Sequence, residues 1–376
     1  MIQTQHLTAA LTPLDTALRL LLGGVKPVDA IDVTTEEALG CIAAEMPPVK
    51  KGLPDFNVAT TDGWALRARD IVGASSYSPL QLITTPPWVE SGDRMPDGCD
   101  CVLDADLADH AGAIFQVLAD SQPGNGVRRA GNDFQAGRLI VAAGQRIGMV
   151  DLLVMRKAGL ERVQVRTPRV RVIDVASADG NSASSQFICE FLKVAGACVL
   201  PARILGRDAA SIAAAIVAEP CDLLAVVGGT GFGRTDATIH AMTSHGALLA
   251  HGLALEPGRT AGIGMNGNTP VVAIPGAPDQ ALAVCLMVLQ PVLDKLSARM
   301  PRPGLARPLA RKIASAIGVT ELVLLKASDE AWMPLATGHL SLDAIADADS
   351  WLVVPPDSEG YAAATSLEAF LLREST

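Results

Sequence analysis

Between Thr167 and Met300 strand-length apolar runs alternate with segments of helical periodicity, and this alternation constrains the fold more than any other feature. "RVRVIDVA" predicts a strand. In "SSQFICEFLKVAGA", Phe187, Ile188, Phe191, Leu192 and Ala195 fall on one helix face. "CVLPARIL" predicts a second strand, and "DAASIAAAIVAE" a helix capped by Asp208. "CDLLAVVGG" predicts a buried strand. After a glycine-flanked stretch, "TPVVAIPG" predicts another strand and "DQALAVCLMVLQPVLDKLSA" a long helix. Such alternation folds as a parallel sheet with right-handed crossovers. Sheets of this kind take ligands outside the carboxyl ends of their strands. Gly228 and Pro275-Gly276 both fall at such ends.

The remaining segments have other textures, so the expected class is α/β and multidomain. Leu11 to Val25 predicts an amphipathic helix, with Leu14, Leu18, Leu21 and Leu22 at helical spacing and Gly23-Gly24 as its stop. "AIDVTTEEALGCIAAEM" predicts a short strand and then a helical or extended piece. From Lys50 to Val150, Gly, Pro and Asp punctuate short apolar pieces ("PLQLITT", "CDCVLDA", "AIFQVLA", "RLIVAAG"), the spacing of a β-rich, loop-rich region. "MPRPGLARP" marks a boundary, and "ELVLLKA" with "SWLVVPP" predicts a small β domain after it.

Composition excludes several function classes. With 376 residues, 49% of them hydrophobic and 19% charged, the chain has the means to bury a core. Aromatics at 3% leave that core to Val, Leu, Ile and Ala. A net charge of -10 argues against a nonspecific nucleic-acid binder, whose affinity comes from neutralising phosphates, but not against a local basic pocket. The seven cysteines are scattered without a CxxC pair, so neither a disulfide framework nor a zinc site is expected. The first residues lack a basic region followed by an apolar stretch, and no apolar run reaches about 18 residues. The expectation is a soluble cytoplasmic protein with no membrane partner.

Four stretches carry candidate chemistry. "GGTGFGRT", Gly228 to Thr235, is one substitution from the nucleotide-binding pattern GxxxxGK[ST]. Arg234 stands in place of the phosphate-binding lysine, and a rigid guanidinium fork is a poor substitute for that point charge. The stretch therefore admits three readings: a P-loop, a tight structural turn, or an amide-lined pocket for an anionic group. "LPDFNVATTDGWALRARD" holds an Asp62-Gly63 turn beside Trp64, a large anchor in a chain with few aromatics. In "VRRAGNDFQAG", Arg128 and Arg129 could hold an anion and Asp133 a metal or water; a solvated charged loop fits as well. "AIPGAPDQALAV" breaks a strand at Pro275-Gly276 and opens a helix whose start is either a second anion site or an ordinary turn.

Taken in order, these stretches resemble one family, the MoeA-type molybdopterin molybdenumtransferases, which include the gephyrin E domain. The family pattern PxFxxSAMDGYA is similar to Pro54 to Ala65, with Asp62 on its aspartate, and its RRxGED-type loop to Arg128 to Asp133. Its SGGxSxGxxD signature is similar to Val227 to Asp236, KPGKP to Glu256 to Thr260, and LPGNPVS to Ile274 to Gln280. Its TGDE loop resembles Ala178-Asp179-Gly180 without the acidic end. Ser91 stands for the Thr of its MTGAP loop, and Gly231-Phe232 replace the signature's SxG step.

The resemblance implies an extended N-terminal domain from 1–49 and 131–167, a β-rich inserted domain from 50–130, a parallel α/β molybdopterin-binding domain from 168–298 and a small C-terminal β-barrel from 299–376. It implies a homodimer with sites between one subunit's α/β domain and the partner's inserted domain. It implies a reaction too: adenylylated molybdopterin, molybdate and Mg2+ are brought together, the adenylyl phosphate bond is cleaved, and molybdenum passes to the dithiolene. Asp62, Asp133, Asp236 and Arg259 become the catalytic candidates, with Asp133 and Asp236 handling magnesium or molybdate. Gly228, Gly229, Thr230, Gly231, Gly233, Pro275, Gly276 and Asp179 become the pterin-binding candidates. Two positions depart from the pattern. Asn57 replaces an acidic residue and cannot supply its charge. Glu256 replaces a lysine; at about 4 Å and an effective dielectric near 20, turning attraction into repulsion swings an interaction by several kcal/mol. These departures raise the alternative of a catalytically impaired paralogue that binds or delivers the cofactor to a molybdoenzyme.

Overall fold

The computed structural model describes residues 10–111, 114–176, 180, 182–328 and 330–373. The chain divides into two compact units. One comprises residues 1–45, 143–148 and 162–376, the other residues 46–142 and 149–161.

The first unit contains the α/β layer that the alternation predicts. Its elements are β1 (Arg169–Val175), α1 (Ala183–Val194), β2 (Arg203–Leu205), α2 (Ala209–Val217), β3 (Leu223–Val227), α3 (Thr238–Ser244), β4 (Leu248–His251), β5 (Gly262–Asn266) and β6 (Thr269–Ile274). A helix over Pro278–Ser297 follows. Strands β2, β1, β3 and β6 are parallel neighbours in that order, and β5 and β4 extend the sheet antiparallel. The run "CVLPARIL" splits into Cys198–Val199 and β2, both paired with β1. Pro201, which has no N–H for a ladder, lies between them. Asp208 caps α2 as expected, its Oδ2 accepting from Ser211 N at 2.8 Å.

Both faces of the sheet are covered. On one side Val170 and Val172 of β1 pack with Val227, Ile274, Ile188, Leu192 and the Pro278–Ser297 helix. On the other, Ile173 and Val175 pack with Ile212 and Ile216 of α2 and Met242 of α3. This is why β3, "LLAVV", is buried at every position. The Pro278–Ser297 helix is long and apolar enough to cross a membrane by length and composition; 72% of that stretch is buried inside this core.

Leu253–Glu256 leaves the α/β sheet and joins a second seven-stranded sheet, pairing in parallel with Thr320–Ala327. Thr320–Ala327, which contains "ELVLLKA", also pairs with Trp332–Thr337 and with Ser350–Val354. Leu14–Leu22 forms the N-terminal amphipathic helix, with Leu14, Ala17 and Leu21 buried.

The second unit is built of small antiparallel ladders. Gly63–Leu66 pairs with Trp88–Val89 and Cys101–Leu103, and Ile114–Val117 pairs with Leu80–Leu82. Trp64 anchors it, with ring centroids 5.1 Å from Trp88 and 4.9 Å from Phe115, both edge-on. "RLIVAAG" forms no strand; it runs between two left-handed glycines, Gly137 and Gly144, at φ of +82° and +83°.

Candidate functional site

The carboxyl ends of β1, β3 and β6 surround a cavity of about 380 Å³. The chain enters it from β3 through Gly228 and Gly229, at φ +94° and +65°. A Cβ on Gly228 would stand 2.7 Å from the Val175 carbonyl oxygen, and one on Gly229 would stand 2.8 Å from Thr238 Oγ1. No other residue fits this turn without displacing backbone or the start of α3. Thr238 then fixes the turn from below: its Oγ1 donates to Gly228 O at 2.7 Å and its N to Gly229 O at 3.1 Å.

The next two glycines have a different purpose. The Asp236 carboxylate folds back into the loop, so that a Cβ on Gly231 would stand 2.8 Å from Asp236 Oδ2 and one on Gly233 3.1 Å. Gly233 N donates to that oxygen at 3.0 Å. The other oxygen, Oδ1, accepts from Arg207 Nη1 at 3.3 Å. Arg207 is held in turn by Thr235 Oγ1 at 2.8 Å and, through Nε, by Ala176 O at 2.9 Å. Among the described residues lining the cavity, Arg207 is the single cationic side chain, and Asp236 and Asp174 are the carboxylates.

The remaining walls are polar but mostly uncharged. Ser184 Oγ donates to Gly276 O at 2.7 Å, tying α1 to the Pro275-Gly276 turn. His251 Nε2 meets Thr230 O at 3.1 Å, Thr230 Oγ1 lies 3.4 Å from Thr260 Oγ1, and Thr260 Oγ1 donates to Gln280 Oε1 at 3.4 Å. Burial pushes the His251 imidazole below its usual pKa, against hydrogen bonding to the Thr230 and Thr260 backbone.

The cavity gathers Gly228, Gly229, Thr230, Gly231, Asp236, Pro275 and Gly276 from the residues singled out in the sequence. Gly233 supports Asp236 from outside its walls. The backbone amides of Gly228 and Gly233 are already engaged, with Ile274 O and Asp236, so neither is offered to a ligand. Asp179 and Ala178 lie outside the described residues. Arg259 is exposed and is not on the wall, although its neighbour Thr260 is. Glu256 is not on the wall either. Its side chain is half-buried among Arg259, Glu321 and Asp279, and burial together with those two carboxylates raises its pKa against the pull of Arg259.

The sequence reading missed Arg207, Asp174, Ser184 and Gln280. Arg207 carried a usable signal: it follows a parallel strand and directly precedes the Asp208 cap, the same kind of strand end as Gly228.

In the second unit two motifs about seventy residues apart form one structure. Val58–Ala59 pairs antiparallel with Val127–Arg128. Asn57 Oδ1 accepts from Ala130 N at 2.9 Å, and Pro54 O from Gly131 N at 2.8 Å. Asp133 pairs with Arg128 at 3.1 Å, both side chains about half exposed. Asp62 Oδ1 accepts from Ser91 N at 2.7 Å, joining the Asp62-Gly63 turn to the Ser91 loop. Asp62 and Asp133 thus belong to the second unit, and Asp236 and Arg259 to the first. Among the described residues no group of three or more His, Cys, Asp or Glu is placed to hold a metal ion.

Two regions of the chain match known families. Residues 12–159 match the family described as MoeA N-terminal region (domain I and II). Residues 172–295, which contain the glycine turn, Asp236 and Pro275-Gly276, match the family described as probable molybdopterin binding domain. A putative molybdopterin biosynthesis protein of Methanocaldococcus jannaschii is 24% identical over 93% of both chains. Molybdopterin molybdenumtransferase 1 of Mycobacterium tuberculosis is 26% identical over 88% of this chain and 91% of its own. The crystal structure of the molybdopterin biosynthesis MoeA protein of Pyrococcus horikoshii superposes with a TM-score of 0.72 at 24% identity, covering 97% of this chain and all of the other. The two family regions, in this order and over most of the chain, make it a member of the MoeA-type family.

Proposed function

We propose that this chain is a molybdopterin molybdenumtransferase of molybdenum cofactor biosynthesis, and that the cavity at the carboxyl ends of β1, β3 and β6 is where its pterin substrate sits. The observation that carries the proposal is the Arg207–Asp236 pair set against the Gly228-Gly229 turn, inside the segment that matches the molybdopterin-binding family. The glycine turn lets a flat ligand approach the backbone. Arg207 supplies positive charge for a substrate phosphate, which its planar fork recognises well. Asp236 keeps that fork aimed while the cavity is empty of anion.

Magnesium takes one or two carboxylates and completes its shell with substrate phosphate and water. Asp236 fits that demand: two of its roughly four acceptor positions are used, by Gly233 and Arg207. It is the residue that would hold the ion, which would neutralise phosphate charge during cleavage of the adenylyl bond. Asp133, Asp62 and Arg259 are assigned as further groups of the same reaction, and Asp179 as a further pterin contact. The protein is proposed to work as a cytoplasmic homodimer with the four-part division and C-terminal barrel that the resemblance implies.

Neither departure from the family pattern argues for an impaired paralogue. Asn57 spends its carbonyl oxygen on Ala130, and Glu256 is spent among Arg259, Glu321 and Asp279, off the cavity wall. The test is AMP release from adenylylated molybdopterin with Mg2+ and molybdate. AMP and molybdenum-loaded pterin are the expected products. Tight pterin binding without AMP would leave a binding or delivery protein, and no pterin binding would remove both readings.

A further inference from the structure

Asp174 is a carboxylate in a row otherwise made of aliphatic side chains. Alternate residues of a strand face the same side, so Asp174 shares its face with Val170 and Val172, which are core residues there. Across the parallel ladder its register partner is Val227, and the partner of Val227 is Ile274; both belong to the same apolar cluster. Asp174 is 6% exposed and lines the cavity. Its carboxylate makes no hydrogen bond or ion pair with any of the described residues, whereas Asp236 across the cavity has both. Arg171, a buried charge on the same strand, is satisfied by the Glu219 and Ala215 carbonyls.

A buried carboxylate is costly unless donors meet it, and the described residues give Asp174 none; sites that keep such a group use it on something that arrives with donors. The residue after Asp174, Val175, touches the Gly228-Gly229 turn, so the carboxylate lies one residue from the floor on which a planar ligand would rest. Resting on the reading that this cavity takes a pterin, we infer that Asp174 is a specificity residue for the ring edge. Its two oxygens accept from N3–H and the 2-amino group of the 2-amino-4-oxopyrimidine, two parallel N–H donors that match a carboxylate fork. Arg207 then takes the anionic end of the same ligand. In this reading the ligand supplies the donors that the described residues do not.

The test uses the full chain and the variants Asp174→Asn and Asp174→Leu. Ligand-observed NMR measures 6-hydroxymethylpterin against 6-hydroxymethyl-lumazine, in which an oxo group replaces the 2-amino group. The wild type should prefer the pterin at least tenfold. Asp174→Asn presents an N–H to the oxo group and should reverse the preference; Asp174→Leu should show none. Without ligand, Asp174→Leu should melt higher than the wild type. Equal binding of both rings by the wild type, no detectable binding of either, an unchanged preference in Asp174→Asn, or a lower melting temperature for Asp174→Leu overturns the inference. Titration of the wild type with molybdopterin is kept separate: its failure removes the proposed function, whereas its success with no ring preference removes only the role of Asp174.

Discussion

Arg207 Nη1 and Asp236 Oδ1 stand 3.3 Å apart at the cavity, with side chains 29% and 13% exposed. Each residue is also tied to the glycine loop, Asp236 through Gly233 N and Arg207 through Thr235 Oγ1. The pair therefore sets the shape of the loop as well as its charge.

Asp236→Ala should accordingly act twice. It leaves Gly233 N without its acceptor and takes from Arg207 its carboxylate partner, leaving Thr235 Oγ1 and Ala176 O, a loss of about 1–3 kcal/mol in stability. It also removes the proposed magnesium ligand, so AMP release should fall by about a hundredfold or more. Asp236→Asn keeps an acceptor for one of the two donors and should recover part of the stability and little of the rate. Urea unfolding and the AMP assay, run on the same preparations, separate the two effects. A variant that keeps wild-type turnover would remove Asp236 from the reaction.

Gly228→Ala should fail for steric reasons alone. The residue sits at φ +94°, and its new Cβ would stand 2.7 Å from Val175 O, a backbone atom that cannot swing away. Strain and overlap together should cost about 2 kcal/mol or more, read as a fall in the urea midpoint. Gly246 is the control. It is also left-handed, at φ +66°, but nothing lies within 4 Å of its Cβ, so Gly246→Ala should cost about 1 kcal/mol.

Asn57 separates a structural from a chemical departure. Its Oδ1 holds Ala130 N, so Asn57→Ala should lose about 1 kcal/mol or somewhat more by urea unfolding. Asp at this position accepts the same hydrogen bond and should fold as well as Asn. If Asn57→Asp changes AMP release by more than about tenfold in either direction, the position takes part in chemistry and is more than a loop tie.

Much of this was legible in the sequence wherever one local pattern sufficed. "CDLLAVVGG" and "TPVVAIPG" are strands because fully buried parallel strands are continuously apolar, and "RVRVIDVA" keeps enough of that pattern to read as one although it buries Arg171 and Asp174. Gly228 and Pro275-Gly276 met in one cavity because strands of one parallel sheet end on the same side. Partnerships set by tertiary contact were not legible. Nothing local distinguishes "LALE" from an α/β strand, yet Leu253–Glu256 leaves that sheet to pair with Thr320–Ala327. Arg207 and Asp236 are 29 residues apart, and neither announces the other. The charge reversal at Glu256 invited a role in repelling substrate; of the charged groups around it only Arg259 belongs to the motif, while Glu321 of Thr320–Ala327 and Asp279 at the start of the last α/β helix do not.

Glu256 therefore yields the pH prediction. Its pKa is raised above 4.5 by burial first and then by Glu321 and Asp279, with Arg259 opposing. A carboxyl whose folded pKa is raised binds its proton more tightly in the folded state than in the unfolded one. Stability that depends on it is complete below about pH 4.5 and is lost as pH rises through the folded value. Glu256→Gln fixes the neutral form at every pH. Its melting temperature should exceed that of the wild type at pH 7, and the gain should shrink on acidification and vanish near pH 4.5. Because Glu256 is off the cavity wall, AMP release at pH 7 should stay within about threefold of the wild type. A gain that persists unchanged at low pH would mean that the substitution acts through packing instead of charge.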